Sequence, residues 1–217
     1  KSATAFDVRT VKSATDTVAA ATVSSGTPNG TYNVEVVDLA TANKWITNVP
    51  VAAGQTFGAG QLTLTVGGES LAIDIAEGAT LQDVRSAIND AARSKGVQAS
   101  VLTSNDGQYL SVSSDKTGAA NGITLAFTSG GSDLQSLVGS LQERVPAADA
   151  VVRIDGLTVT ASGNKITEAV PGLTLDLKAK GTSIVTVSTD TAAASKLIQD
   201  VVNAYNTAIG AINASTK

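Results

Sequence analysis

The chain has no cysteine, no histidine and no methionine in 217 residues, and aromatic residues make up only 3% of it. Each absence removes a class of chemistry. Without His there is no imidazole base, no Ser-His-Asp triad and no common zinc site. Without Cys there is no thiolate nucleophile, no iron–sulfur ligation and no disulfide, although extracellular proteins also exist without disulfides. Charge is sparse and slightly acidic, 15 Lys and Arg against 19 Asp and Glu for a net charge of −4. That balance argues against a nucleic-acid groove and against an anionic membrane surface. No apolar run reaches the length of a membrane-spanning helix, so no membrane insertion is expected, and no signal peptide opens the sequence. A start at Lys1 with no Met anywhere leads us to expect a processed chain or an excised piece of a longer protein.

What is present is Gly, Ala, Val, Ser and Thr, with 42% apolar residues and 20 Gly. Val and Thr suit pleated, half-buried surfaces and Gly supplies tight turns, so the composition predicts a mainly β fold with some α. Tyr32, Val34 and Val36 share one face at period two. Leu62, Leu64 and Val66, then Leu71, Ile73 and Ile75, flank Gly67-Gly68 as a hairpin. From Thr80 the spacing becomes helical, with Leu81, Val84, Ile88 and Ala91 on one face, Thr80 as N-cap and Gly96 at the end. A second hairpin turns at Asn105-Asp106-Gly107, the stretch 123–128 is a further strand, and 132–143 reads as a short helix capped by Ser132. Beyond Pro146 a hairpin turns at Asp155-Gly156 and residues 164–172 read as a connector. A last hairpin is expected over 173–190, turning near Lys180-Gly181.

The stretches before Pro50 and after Pro146 share a texture that the middle does not, and the Gly-rich run from Val51 to Gly60 reads as a boundary. This predicts an α+β chain of two β-rich domains, one inserted in the other. Residues 1–50 with 146–190 form the split domain, 51–145 the inserted hairpin-helix-hairpin domain, and 191–217 a terminal helix capped by Asp190 or Thr191.

No motif carries catalysis. There is no phosphate-binding glycine loop: Lys116-Thr117 lacks the preceding glycines. Asp106-Gly107 and Asp155-Gly156 are turn pairs, not calcium loops. Asn29-Gly30-Thr31 matches a glycosylation sequon but is equally a turn. The carboxylates are scattered, aromatic sugar platforms are scarce, and Trp45 reads as a core or domain-junction residue. We expect no catalytic residue, no cofactor and no metal. The one constellation that asks for a partner is in the terminal helix. Ile198, Val201, Tyr205, Ala208 and Ile212 follow alternating steps of three and four, a coiled-coil seam, and Leu197, Val202 and Ile209 widen it. No second long helix of that kind exists in the chain.

The stretches GTYNVEVVDLATA, GATLQDVRSAINDAARSKGVQASV, SSDKTGAANGITL, DAVVRIDGLTVTASGNKITEAVPGLTLDLK and VVNAYN resemble, in this order, the family of flagellar filament-capping proteins. The block from Asp149 to Lys178 leading into VNAYN is the discriminating part, since the middle alone also resembles modules of flagellin-type proteins. The resemblance implies terminal helices paired as a coiled-coil leg, with two β-rich domains between them. The last helix here is then the start of the C-terminal leg. It also implies export through the flagellar secretion apparatus without a cleaved signal peptide and an extracellular place at the flagellum tip. Self-association into a cap ring and assistance to flagellin insertion follow, and some members also attach to host mucin. A hook–filament junction protein, a flagellin outer domain and a secreted glycan-binding adhesin module are the competing readings, with an enzyme last.

Overall fold

The computed structural model describes residues 8–215. Residues 1–7 of the expected split domain and 216–217 of the expected terminal helix lie outside the described residues. In chain order the elements begin with β1 (Arg9–Ser13), β2 (Ala19–Val23), β3 (Gly30–Asp38) and β4 (Ala42–Thr47). Next come β5 (Thr56–Phe57), β6 (Gly60–Val66), β7 (Glu69–Ile75), β8 (Ala79–Thr80) and α1 (Leu81–Ala92). Then follow β9 (Val97–Ser104), β10 (Gly107–Thr117), β11 (Ile123–Gly130), α2 (Ser132–Gly139) and β12 (Leu141–Val145). The chain continues through β13 (Ala150–Ile154), β14 (Leu157–Ala161), β15 (Lys165–Val170), β16 (Leu173–Leu177), β17 (Gly181–Thr189) and α3 (Thr191–Ser215).

Two compact units result. The first is Lys1–Val37, Val152–Val159 and Lys165–Lys217; the second is Asp38–Val151 with Thr160–Asn164. Strand β4, expected with the split domain, belongs to the second unit because it is a central strand there: Trp45 pairs with Val112 of β10 and with Glu143 of β12. The run from Val51 to Gly60, expected as a boundary, lies inside the second unit, where Val51 bridges Gln108 and Phe57 pairs with Ala79. Residues 160–164 join the same unit through Asn164, whose amide exchanges hydrogen bonds with the backbone of Ala40 at 2.8 and 2.9 Å.

The first unit is built from a five-stranded sheet in the order β1-β17-β3-β13-β14 and a three-stranded sheet in the order β15-β16-β2. Alternation along β3, β16 and β17 buries Val34, Val36, Leu173, Leu175, Leu177, Val185 and Val187. Each such side chain contributes about 1.5–3 kcal/mol of apolar transfer. The Asp155-Gly156 turn has φ of 49° and 85°, the left-handed pair that a two-residue hairpin turn requires.

Two expectations fail in this unit. The connector at 164–172 contains β15, whose Ile166 pairs with Leu175 and is itself buried. The hairpin over 173–190 does not form: β16 pairs with β15 and β2, while β17 pairs with β1 and β3. Both strands bury one alternate face, and each does so in a different sheet.

The second unit holds a four-stranded sheet in the order β12-β4-β10-β9, a three-stranded sheet in the order β11-β6-β7 and the short β5-β8 pair. Leu62, Leu64, Ile73, Ile75, Val84, Ile88, Leu110 and Leu134 join one core, with Leu71 and Trp45 half-buried against it. Helix α1 starts with a capping box, Thr80 and Asp83 bonding each other's backbone N–H, and its following turn ends at Gly96, φ 73°. The short helix expected at 132–143 is α2, but its N-cap is Gly131 and it stops at Gly139. The residues after it form the edge strand β12, because Glu143 and Gln142 find register partners on β4.

Candidate helix-docking site

Helix α3 follows directly from β17, and Asp190 caps it: the Ala193 N–H donates to Asp190 Oδ1 at 2.8 Å and the Ala194 N–H to Asp190 O at 3.0 Å. Lys196 and Asp200 form an i,i+4 pair at 3.4 Å on one side, and Thr207 donates back to Asn203 O at 2.8 Å. These polar side chains all fall on one half of the helix.

The other half is apolar. At about 100° per residue, Ile198, Val201, Tyr205, Ala208 and Ile212 fall within an arc of about 80°, and Leu197, Val202 and Ile209 extend it to about 140°. All eight are exposed, from 39% for Ile209 to 65% for Tyr205 among the large ones. The five seam residues all lie within α3, and every residue from Ser195 to Ile212 is exposed in the chain. An arc this wide exceeds the narrow stripe of a two-stranded seam and suits a helix buried on its flanks as well.

Elsewhere several polar side chains hold backbone. Asp133 accepts the Gly58 N–H at 2.9 Å and Glu77 accepts the Ala59 N–H at 2.7 Å. The Gly58 and Leu134 N–H groups hold the Asp133 carboxyl below its ordinary range. Two carboxylates so engaged are braces for the chain entering β6. A groove of about 320 Å³ is lined by Asn89, Arg93, Val97, Gln98 and Asp115. Its Asn89 amide is occupied: Oδ1 accepts the Ala99 N–H at 2.7 Å and Nδ2 donates to Ala99 O at 2.9 Å, closing the edge of β9. Trp45 is half-buried and donates from Nε1 to Asn43 Oδ1 at 2.9 Å, which ties its indole to the central strand β4. Among the described residues no three His, Cys, Asp or Glu side chains are grouped to hold a metal. Asn43 and Asn89 carry signals too weak to single out by sequence, because an isolated Asn declares its role only when strand register shows what faces it.

Two β-rich units running into a capped helix with an uncovered apolar arc are the build of an assembly component. Known proteins agree. Residues 147–217 match the family described as flagellar hook-associated protein 2 C-terminus, and residues 61–116 match the flagellin hook IN motif. The B-type flagellar hook-associated protein 2 of Pseudomonas aeruginosa is 31% identical over 97% of this chain and 49% of its own length. The flagellar hook-associated protein 2 of Escherichia coli K12 is 33% identical over 99% of this chain and 50% of its own. The chain therefore spans about half the length of the curated relatives it matches. Among solved structures, FliD (HAP2) from Pseudomonas aeruginosa PAO1 superposes with a TM-score of 0.82 at 30% identity, covering 93% of this chain and 98% of that one. The D1-D2-D3 domains of the Escherichia coli flagellar cap protein FliD superpose with a TM-score of 0.83 at 29% identity, covering 100% of this chain and 64% of that one. The chain belongs to the flagellar hook-associated protein 2 family, that of the cap protein FliD.

Proposed function

We propose that this chain is the β-rich part of a flagellar filament-cap subunit, acting at the extracellular tip of the filament, with α3 as the start of its C-terminal leg. In this reading the subunits self-associate into a cap ring, and the ring promotes flagellin insertion by steric guidance, with no catalytic step or cofactor. The seam Ile198, Val201, Tyr205, Ala208 and Ile212 docks against other leg helices in the longer protein, and the two β-rich units are its outer domains. The observation that carries the reading is the uncovered apolar arc of α3, placed directly after the residues matching the family's C-terminal region. Leaving several Ile, Val and Leu side chains in water forgoes about 1.5–3 kcal/mol for each, so the arc is built for burial.

The IN-motif match over 61–116 also suits a flagellin or a hook–filament junction protein. Continuity of the 147–217 match into α3 favours the cap. Attachment to host mucin rests on the family resemblance alone, and mucin-coated surfaces probed with the purified chain test it. The deciding experiment for the cap is complementation of a cap-deficient strain by the full-length parent. Restored filaments, with flagellin no longer lost to the medium, are expected; bare cells that still shed flagellin would overturn the reading.

A further inference from the structure

We propose that Asn89 guards a sheet edge: its carboxamide fills the place of a partner strand on β9 and so keeps β9 of a second copy of this chain from adding there. The proposal rests on the second unit alone and stands whether or not the cap reading does. Strand β9 is an outermost strand of the sheet β12-β4-β10-β9. Its ladder with β10 sets Ala99 opposite Val112 and Val101 opposite Leu110. The Ala99 backbone turns away from β10 toward α1, where its N–H donates to Asn89 Oδ1 at 2.7 Å and its C=O accepts from Asn89 Nδ2 at 2.9 Å. Those are the two bonds that a residue of an added antiparallel strand would make at that position. The alternation of an antiparallel ladder turns the backbone groups of Val101 and Thr103 to the same edge, where no further strand of the sheet lies.

The second observation is charge. An unpaired edge is a template for another chain, and natural sheets blunt such edges with charged residues. Four edge strands of this fold follow that rule: β1 carries Arg9 and Lys12, β7 carries Glu69 and Asp74, β12 carries Glu143 and Arg144, and β15 carries Lys165 and Glu168. Strand β9, VQASVLTS, carries no charge at all. Its Gln98, Ser100 and Leu102 are exposed, Leu102 by 43%. A second copy brings the same uncharged strand, so no like charges oppose the pairing of β9 with β9. An antiparallel pair centred at Val101 would set Ala99 against Thr103 of the partner subunit. By symmetry that contact occurs twice, and the Asn89 amide of each copy blocks one of the two.

Hydrogen exchange on the 217-residue chain is the first test. The Ala99 amide should exchange at least tenfold more slowly than the Val101 and Thr103 amides. Equal protection of all three would overturn the proposal, because something other than Asn89 would then cover the edge. Sedimentation equilibrium of Asn89→Ala should show self-association at least tenfold stronger than that of the unchanged chain, with the Val101 and Thr103 amides now protected at high concentration. Association is read against the unchanged chain, so any pairing through α3 is common to every sample. Adding Leu102→Lys to Asn89→Ala places a charge on β9 and should return association to its starting level. The urea midpoint, lowered by loss of the two Asn89 bonds, should stay low in the double variant, a split that a purely structural strut does not produce. A folded Asn89→Ala chain that associates no more than the unchanged one would overturn the proposal. So would a double variant that associates as strongly as Asn89→Ala alone. Filament growth plays no part in these readings, so failure here and failure of the cap reading are separately visible.

Discussion

Asn43 is the side chain whose loss should cost the second unit most per atom removed. It is 1% exposed and its amide makes four hydrogen bonds. Nδ2 donates to Glu143 Oε1 at 2.7 Å and to Val145 O at 2.9 Å, while Oδ1 accepts from Trp45 Nε1 at 2.9 Å and from the Ile123 N–H at 2.8 Å. One residue of the central strand β4 thereby ties down both the edge strand β12 and the first residue of β11. Asn43→Ala removes all four bonds. Glu143 is exposed and Trp45 half-buried, so both recover water partners at little cost. The Ile123 N–H is buried and does not, and an orphaned buried donor costs about 1–3 kcal/mol. With the lost bond to Val145 and the small cavity, the expected destabilisation is about 3 kcal/mol. The same loss corresponds to a fall in Tm of roughly 10 °C for a unit of this size. Urea unfolding followed by fluorescence of Trp45, the only tryptophan, reads this unit directly. The midpoint is the quantity to compare, because the substitution also changes the indole's own surroundings. Asn43→Asp keeps the acceptor but brings a second carboxylate against Glu143, so it should be no more stable than Ala near neutral pH and should recover on acidification. A loss below about 1 kcal/mol for Asn43→Ala, as for an exposed pair such as Thr63 with Thr128, would refute the reasoning.

Gly60→Ala should destabilise the second unit by at least about 2 kcal/mol, because a Cβ there would lie 2.5 Å from Ser129 O and 2.8 Å from Leu134 Cδ2; chemical denaturation checks it. Asp83 is held below its ordinary value of 3.8 by the Thr80 hydroxyl and then the Thr80 N–H. A depressed folded-state pKa gives stability that is present above 3.8 and is lost as pH falls through the folded value, so the urea midpoint of Asp83→Asn should fall less on acidification than that of wild type, the remaining decline coming from carboxylates such as Asp133 that both chains keep. Val201→Asp with Ile212→Asp should leave the β-rich units within about 0.5 kcal/mol of wild type, because neither side chain enters their cores; a thermal melt showing cooperative loss of both units would contradict the placement of α3.

Much of this architecture is legible in short windows. The hairpin at Gly67-Gly68, the turn at Asp155-Gly156, the Thr80 cap of α1 and the apolar arc of α3 are all encoded by residues within a few positions of one another. So is the choice of strand or helix over 60–117, because side-chain period and turn chemistry act locally. What escapes such reading is which strand each strand meets. Residues 173–177 and 181–189 look like partners across a Lys180-Gly181 turn, yet they pair in different sheets. Nothing in their alternation distinguishes a neighbour in sequence from β2 or β3, more than 140 residues away. The strand at 165–170 is hidden for the same reason: its burial comes from β16, not from a pattern of its own. Asn43 is an ordinary polar residue until register brings β11 and β12 to its amide. Sequence by itself determined the local conformations, the missing catalytic groups and the apolar face of α3. The tertiary structure alone decided strand order, the division at residues 37 and 38 and the satisfied buried amides, because those depend on long-range pairing whose energy is shared between segments far apart in the chain.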